Sequence, residues 1–284
     1  MRFFSIRELE RLSGIKAHTI RIWESRYAAF SPLRTAANIR LYSIADLEHL
    51  LNLSLLNRRY RISKLMTAER SALEAECEAL QDRDHKLDMA INSLLVYMYT
   101  EDIDQFDKLL DQCITQWGAD KAFARILLPF LEKADILSYS SNGPDVHFVV
   151  TAIRRKIISR IEGLNSPPSR QEKVLLFLPQ GEHYDIILLY MHYLLRRHGV
   201  HVFYLGTNIS LDNLEKVAGD KRPSKLFSYI TSRSFNEKAY VNAIKQHIPD
   251  AKMFIVHPFE TLEKRTAVDN VIFYRLGEIG LVSS

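Results

Sequence analysis

The chain reads as a multidomain protein of α and α/β class: a winged helix-turn-helix, then a helical bundle, then a flavodoxin-like parallel sheet. Three observations predict it. The first 65 residues hold a capped helix, a Ser-Gly turn, a second amphipathic helix and a proline-broken basic stretch. From about Ser63 to Glu162 apolar residues recur at helical spacing almost without interruption. Beyond the paired prolines Pro167 and Pro168, short apolar runs alternate with helical periods, the pattern of strands joined by crossover helices. A chain of 284 residues also exceeds what one core usually takes, so several modules are expected. The boundaries fall at 1–65, 66–165 and 170–284.

Each element has a local cause. Ser5 with Glu8 forms a capping box, in which the serine oxygen accepts from an early helix amide while the glutamate reaches back, and a helix follows to about Leu12. Ser13 and Gly14 make the turn. A second helix runs from about Lys16 to Tyr27, with Ile20, Trp23 and Tyr27 at core spacing and His18, Arg21 and Ser25 on the opposite side. Ser31 to Leu41 contains Pro32, loses the helical period and carries Arg34 and Arg40, as an extended wing would. Ser43 caps a third helix and Ser63 is the candidate cap of a long linker helix through Leu80. Further helical segments lie near His85–Tyr99, Asp102–Trp117, Ala119–Ser140 and Asp145–Glu162, and a bundle is their natural packing. Leu164 to Ser169 breaks the pattern, because paired prolines cannot continue a helix. Lys173–Leu178, Val200–Leu205, Lys225–Thr231, Met253–Val256 and Val271–Tyr274 then read as strands of an open, mainly parallel sheet.

Charge separates the modules. Residues 1–65 hold twelve Lys and Arg against five Asp and Glu, an excess of +7 in a chain whose net charge is +4. The positive charge therefore belongs to the first module, and a concentrated basic block suits a polyanion, since each neutralised phosphate releases counterions. No apolar run approaches the ~18 residues of a membrane span. The N-terminus enters a charged amphipathic segment at once, without an apolar signal core, which favours the cytoplasm as the expected compartment. Cys77 and Cys113 lack metal-type spacing and are expected to be packed thiols. No nucleophile-base constellation, metal cluster or phosphate-cradling glycine loop is seen, so an enzyme is the poorest reading.

The N-terminal residues Ser5 to Glu8, Leu12 to Ile15, His18 to Tyr27 and Arg40 to Ser43 with Asp46 and Leu47 resemble the MerR family. The run around Trp23 is similar to the branch with a cobalamin-type sensor domain. Two departures stand out: Ala28 replaces the Gly that usually follows the Arg-Tyr pair, and Asn38-Ile39 replaces a Gly with an aromatic or His in the wing. The resemblance implies double-stranded operator DNA as partner, bound by a homodimer or a higher homo-oligomer. His18, Thr19, Arg21 and Arg26 lie on or beside the reading helix, with His18 and Arg21 set toward base edges, while Arg34, Arg40 and Tyr42 are suited to phosphates.

The C-terminal part resembles the cobalamin-binding domain that follows a helical cap in light-responsive repressors of carotenoid genes. The resemblance rests on the first strand, the Gly181-Glu182 step, the helix ending Leu194 to Gly199, and Val202 to Gly206 with Asn208. That family places a cobalt-binding His in a Glu/Asp-x-His-x-x-Gly motif. Aligned on Gly181 and Glu182, the ligand position is Tyr184 and the final Gly is Ile187; His183 stands next door. A neutral phenol, with an ordinary pKa near ~10 and a hard oxygen, is a poor substitute for imidazole. Ser228 falls where the family has the serine for the nucleotide tail, and His257-Pro258 replaces a Gly-Gly pair that lets the tail lie close to the backbone. In the cap, Ser138 or Tyr139 stands at a Trp site and Val146-His147 at a Glu-His pair. These changes imply a kept scaffold with a degenerate site, so no cofactor is expected and the C-terminal part serves assembly or altered ligand sensing. The alternative is a cobalamin-dependent light-sensing transcriptional repressor.

Overall fold

The computed structural model describes residues 2–136, 144–165, 167–232, 235–257 and 271–275. The chain divides into two compact units, one built on Met1–Ile136 with the start of a long helix, the other running from Val150 onward.

The first unit opens with α1 (Ile6–Ser13), which carries both halves of the expected capping box between Ser5 and Glu8. Gly14, at φ +74°, takes the left-handed turn that a side chain would resist. The recognition-type helix α2 (Ala17–Tyr27) buries Ile20 and Trp23, whereas Tyr27 is only half-buried. A two-stranded wing follows, β1 (Leu33–Arg34) against β2 (Arg40–Leu41), antiparallel with Arg34 directly opposite Arg40. α3 (Ile44–Leu56) begins with a second capping box, Ser43 with Asp46, and lies against the bundle helix α6 (Arg83–Thr100).

The expected linker helix from Ser63 to Leu80 is broken. α4 (Ile62–Leu65) and α5 (Arg70–Ala79) are separated by a turn in which the Thr67 hydroxyl donates to the Lys64 carbonyl and the Ala68 amide to that of Leu65. Ser63 lies inside α4, and Arg61 takes its N-cap position. α7 (Ile103–Trp117) and α8 (Ala119–Ala122) follow, then one π turn over Phe123–Leu127 before α9 (Leu128–Lys133). The π turn has a cause: Pro129 lacks an amide and its ring collides with the carbonyl four residues back in a regular helix, and the wider turn relieves both. Phe106, Phe123 and Phe130 are wholly buried in this bundle. α10 (Pro144–Glu162) begins at a proline, whose missing amide costs nothing in a first turn.

The second unit is a five-stranded, wholly parallel sheet of β3 (Lys173–Pro179), β4 (His201–Ile209), β5 (Lys225–Tyr229), β6 (Lys252–His257) and β7 (Val271–Arg275). The order β4-β3-β5-β6-β7 is that of a flavodoxin-like sheet, as expected. α11 (Ile186–Arg197) follows β3, α12 (Leu211–Lys221) follows β4 and α13 (Glu237–His247) follows β5. β3 is buried from Val174 to Pro179, which explains its unbroken apolar run. The register of β3 on β4 shifts twice near Phe177, opposite Gly206, whose φ of +89° only glycine takes easily. Thr231, expected in the third strand, lies beyond its end at Tyr229.

Candidate functional site

The reading face of α2 is set by its two buried residues. With Ile20 and Trp23 fixed in the core, His18, Arg21 and Ser25 are turned outward, and all three are exposed. Arg26 is also exposed, its guanidinium 5.4 Å from the centroid of the Tyr27 ring, and Thr19 is half-buried with its hydroxyl 3.3 Å from the His18 ring. On the wing, Arg34 is exposed and donates to the Asn38 side chain at 2.6 Å. Asn38 has φ +60°, so the Gly of the family pattern is replaced by the residue that best tolerates a left-handed turn. Ala28, the other departure, sits at φ +51° without that tolerance.

Two expected phosphate contacts are placed differently. Tyr42 is wholly buried, paired in a bridge with Phe4, and its hydroxyl donates to Glu24 at 3.0 Å. Burial, followed by the Glu24 hydrogen bond, holds its phenol well above the ordinary tyrosine range, so it stays neutral. Tyr42 is therefore a core residue, since a phosphate could reach it only by opening the module. Arg40 Nε donates to both Glu24 oxygens, at 3.0 and 3.1 Å, and this bond raises the guanidinium pKa. The pairing also relieves the repulsion of facing Arg34 across the ribbon. Glu24, only 14% exposed, thus fastens the wing to α2, a role the sequence reading missed. Its signal was position: one acidic residue within the basic run Arg21 to Arg26.

The basic excess is partly spent inside the first unit. Arg11 pairs with Asp135 at 2.6 Å, Arg58 with Asp88 at 2.5 Å and Arg59 with Asp82 at 3.3 Å. Arg2 lies 4.4 Å from the centroid of the Tyr99 ring, which in turn meets Phe4 edge to face. These contacts tie the module to the bundle, while Arg21 and Arg26 of α2 and Arg34 of the wing stay exposed.

In the second unit, the segment between β3 and α11 is pinned at both ends. Glu182, buried, accepts the Thr231 amide at 3.1 Å, the Thr231 hydroxyl at 2.6 Å and the Ser232 amide at 2.9 Å. It therefore stitches the loops after β3 and β5 across the point where strand order reverses, the place where open α/β sheets take ligands. Asp185, also buried, accepts from Arg154 Nε and Nη at 3.1 Å each and from the Tyr204 hydroxyl at 2.8 Å. His192 stacks on Tyr204 at 5.4 Å. Between these anchors His183 is exposed and Tyr184 half-buried.

These residues do not reproduce the family's pattern for a histidine-ligated corrinoid. Tyr184 has a phenol where the pattern has an imidazole, Glu182 is engaged by two amides and the Thr231 hydroxyl, Ile187 is wholly buried, and His183 is exposed. Ser228 is wholly buried and its hydroxyl has no hydrogen-bond partner among the described residues. His257 ends β6 opposite Arg275. His147 is exposed in the first turn of α10. Ser138, Tyr139 and Pro258 lie outside the described residues. Cys77 and Cys113 are buried with thiols pushed up to about 11, which makes both unreactive.

Residues 4–67 match the model for the MerR HTH family regulatory proteins. Over 262 residues the chain is 27% identical to the HTH-type transcriptional repressor CarH of Myxococcus xanthus, covering 87% of this chain and 86% of CarH. It is 26% identical to the repressor CarA of the same organism, covering 83% and 80%. The fold is shared with the monomethylamine corrinoid protein of Methanosarcina barkeri, at a TM-score of 0.54 and 12% identity over 67% of this chain and 95% of that one. The chain thus carries a MerR-type helix-turn-helix domain and a cobalamin-binding-like fold. No helix among the described residues is long and apolar enough to cross a membrane.

Proposed function

We propose that this chain is a sequence-specific DNA-binding transcriptional regulator whose second unit serves assembly or an altered signal input, without histidine-ligated cobalamin. The observation that carries the reading is the exposed His18, Arg21, Ser25 and Arg26 of α2 beside the exposed Arg34 of the wing, all inside the matched helix-turn-helix segment. An α-helix fits the major groove, where Arg21 and His18 would meet base edges, while Arg34 and the outer nitrogens of Arg40 would meet phosphates and fix orientation. Two repressors of nearly the same span support the regulatory role.

The functional division is residues 1–65 for DNA, 66–165 as a helical cap and 170–284 as the sheet domain. One recognition helix reads few base pairs, so a homodimer on a pseudo-palindromic operator is the working form. It acts in the cytoplasm and catalyses no reaction. A footprint on duplexes selected by the protein from a randomised library should show protected half-sites related by a dyad, lost in Arg21→Ala. Light scattering should give the mass of two chains or more. No protected region for the wild type would contradict the reading.

The cobalamin-dependent, light-sensing repressor is the second reading, favoured by the shared fold and by the family resemblance. The engaged Glu182, the anchored Asp185 and Tyr184 at the ligand position weigh against it. After dark incubation with adenosylcobalamin or methylcobalamin and removal of excess, no corrinoid absorbance should remain and illumination should leave DNA affinity unchanged. Stoichiometric corrinoid that disappears in His183→Ala would restore the second reading while leaving DNA binding intact.

A further inference from the structure

We infer that Ile22 reads the 5-methyl group of thymine in the major groove, adding an apolar specificity contact to the polar face of α2. The inference rests on the proposed DNA-binding function and deepens it. Positions 18, 21, 22 and 25 form one stripe at helical spacing, and His18, Arg21, Ile22 and Ser25 are all exposed. Ile22 is 50% exposed on a helix whose core side is already filled by Ile20 and Trp23. Packing therefore does not require an apolar residue at 22.

A single exposed isoleucine is ordinary, but this one has company. Of the five large apolar side chains that stand exposed among the described residues, Ile22, Leu33 and Ile39 belong to α2 and the wing. They are concentrated on the elements that face the ligand. Arg21 and Arg26, exposed on the same helix, suit that surface to a polyanion rather than to an apolar protein partner. Among the base-edge groups of the major groove, the thymine methyl is the apolar one, and an isoleucine stiffened at χ1 presents its methyls in nearly one position.

The test begins with selection of duplexes from a randomised library by the full-length wild-type protein, which defines the preferred site. Each thymine in that site is then replaced by deoxyuridine, which removes only the methyl. At one thymine per half-site the wild type should lose about three- to five-fold in affinity, the scale of one buried methyl. Ile22→Ala should be weaker on the thymine duplex and insensitive to deoxyuridine there, whereas Ile22→Val should keep part of the preference. Because residue 22 is exposed, circular dichroism and melting of both variants should match the wild type. If deoxyuridine costs the wild type nothing at any thymine, or costs Ile22→Ala as much, the inference fails while the enriched site keeps the regulator reading. If no sequence is enriched, the regulator reading fails and takes the inference with it.

Discussion

Glu24 accepts from Arg40 and Tyr42 at once, so one carboxylate holds the wing against α2. Glu24→Ala should cost about 2–3 kcal/mol, because the buried Tyr42 hydroxyl loses its acceptor, whereas Tyr42→Phe should cost only about 1 kcal/mol. Equal losses in a urea titration would contradict that ranking. Ala28, at φ +51°, should gain about 0.5–1 kcal/mol as Ala28→Gly, and an unchanged or lower melting temperature would contradict the strain. Burial, then Arg70, lowers the His49 pKa to about 4, and burial, then Arg196, lowers that of His192 to about 4. Unfolding lets both imidazoles take up a proton below about 6.5, so their contribution is present above that pH and is lost as pH falls toward 4. The melting temperature should therefore fall between pH 7 and pH 5, less steeply in the variant with His49→Gln and His192→Gln; an equally steep fall would exclude them as the cause. At this scale the sequence spoke unevenly. The exposure of His18, Arg21 and Arg34 was legible from helical phase and wing composition, but the burial of Tyr42 was not, because a tyrosine beside an arginine suits a phosphate and a core equally until tertiary packing decides.

Cap residues, Ser5 with Glu8 and then Ser43, made the starts of α1 and α3 legible, since their signals are local in sequence. The break between α4 and α5 was not, because residues 66–69 contain neither proline nor glycine and the period continues across them. The strands of the sheet were legible to within a few residues from their apolar runs. What those runs could not convey is how the ends are tied: Glu182 reaches residues 231 and 232, almost fifty positions away in sequence. Glu182→Ala would leave two amides and a hydroxyl without their acceptor and should lower stability by about 2–4 kcal/mol. A neutral effect in chemical denaturation would show that the loops after β3 and β5 are held by other means, and would reopen the crevice at the strand reversal to a ligand.

For the molecule as a whole, net charge singled out the first module but overstated how many of its cations are unpaired. Arg11, Arg58 and Arg59 face carboxylates of the bundle, a pairing that composition cannot reveal. The proposed division of labour assigns base reading to α2 and phosphate binding to the wing. Arg34 tests the wing better than Arg40, whose loss would also release Glu24 and Tyr42. The most direct measurement is the affinity of wild type, Arg21→Ala and Arg34→Ala for a footprinted site and a scrambled duplex across a range of salt. Arg21→Ala should shrink the ratio between the two duplexes by about ten-fold or more. Arg34→Ala should weaken both duplexes together and make the salt dependence shallower by about one phosphate contact. Variants that both match the wild type on both duplexes, or that both lose affinity without any change in ratio, would contradict the assignment of specificity to α2.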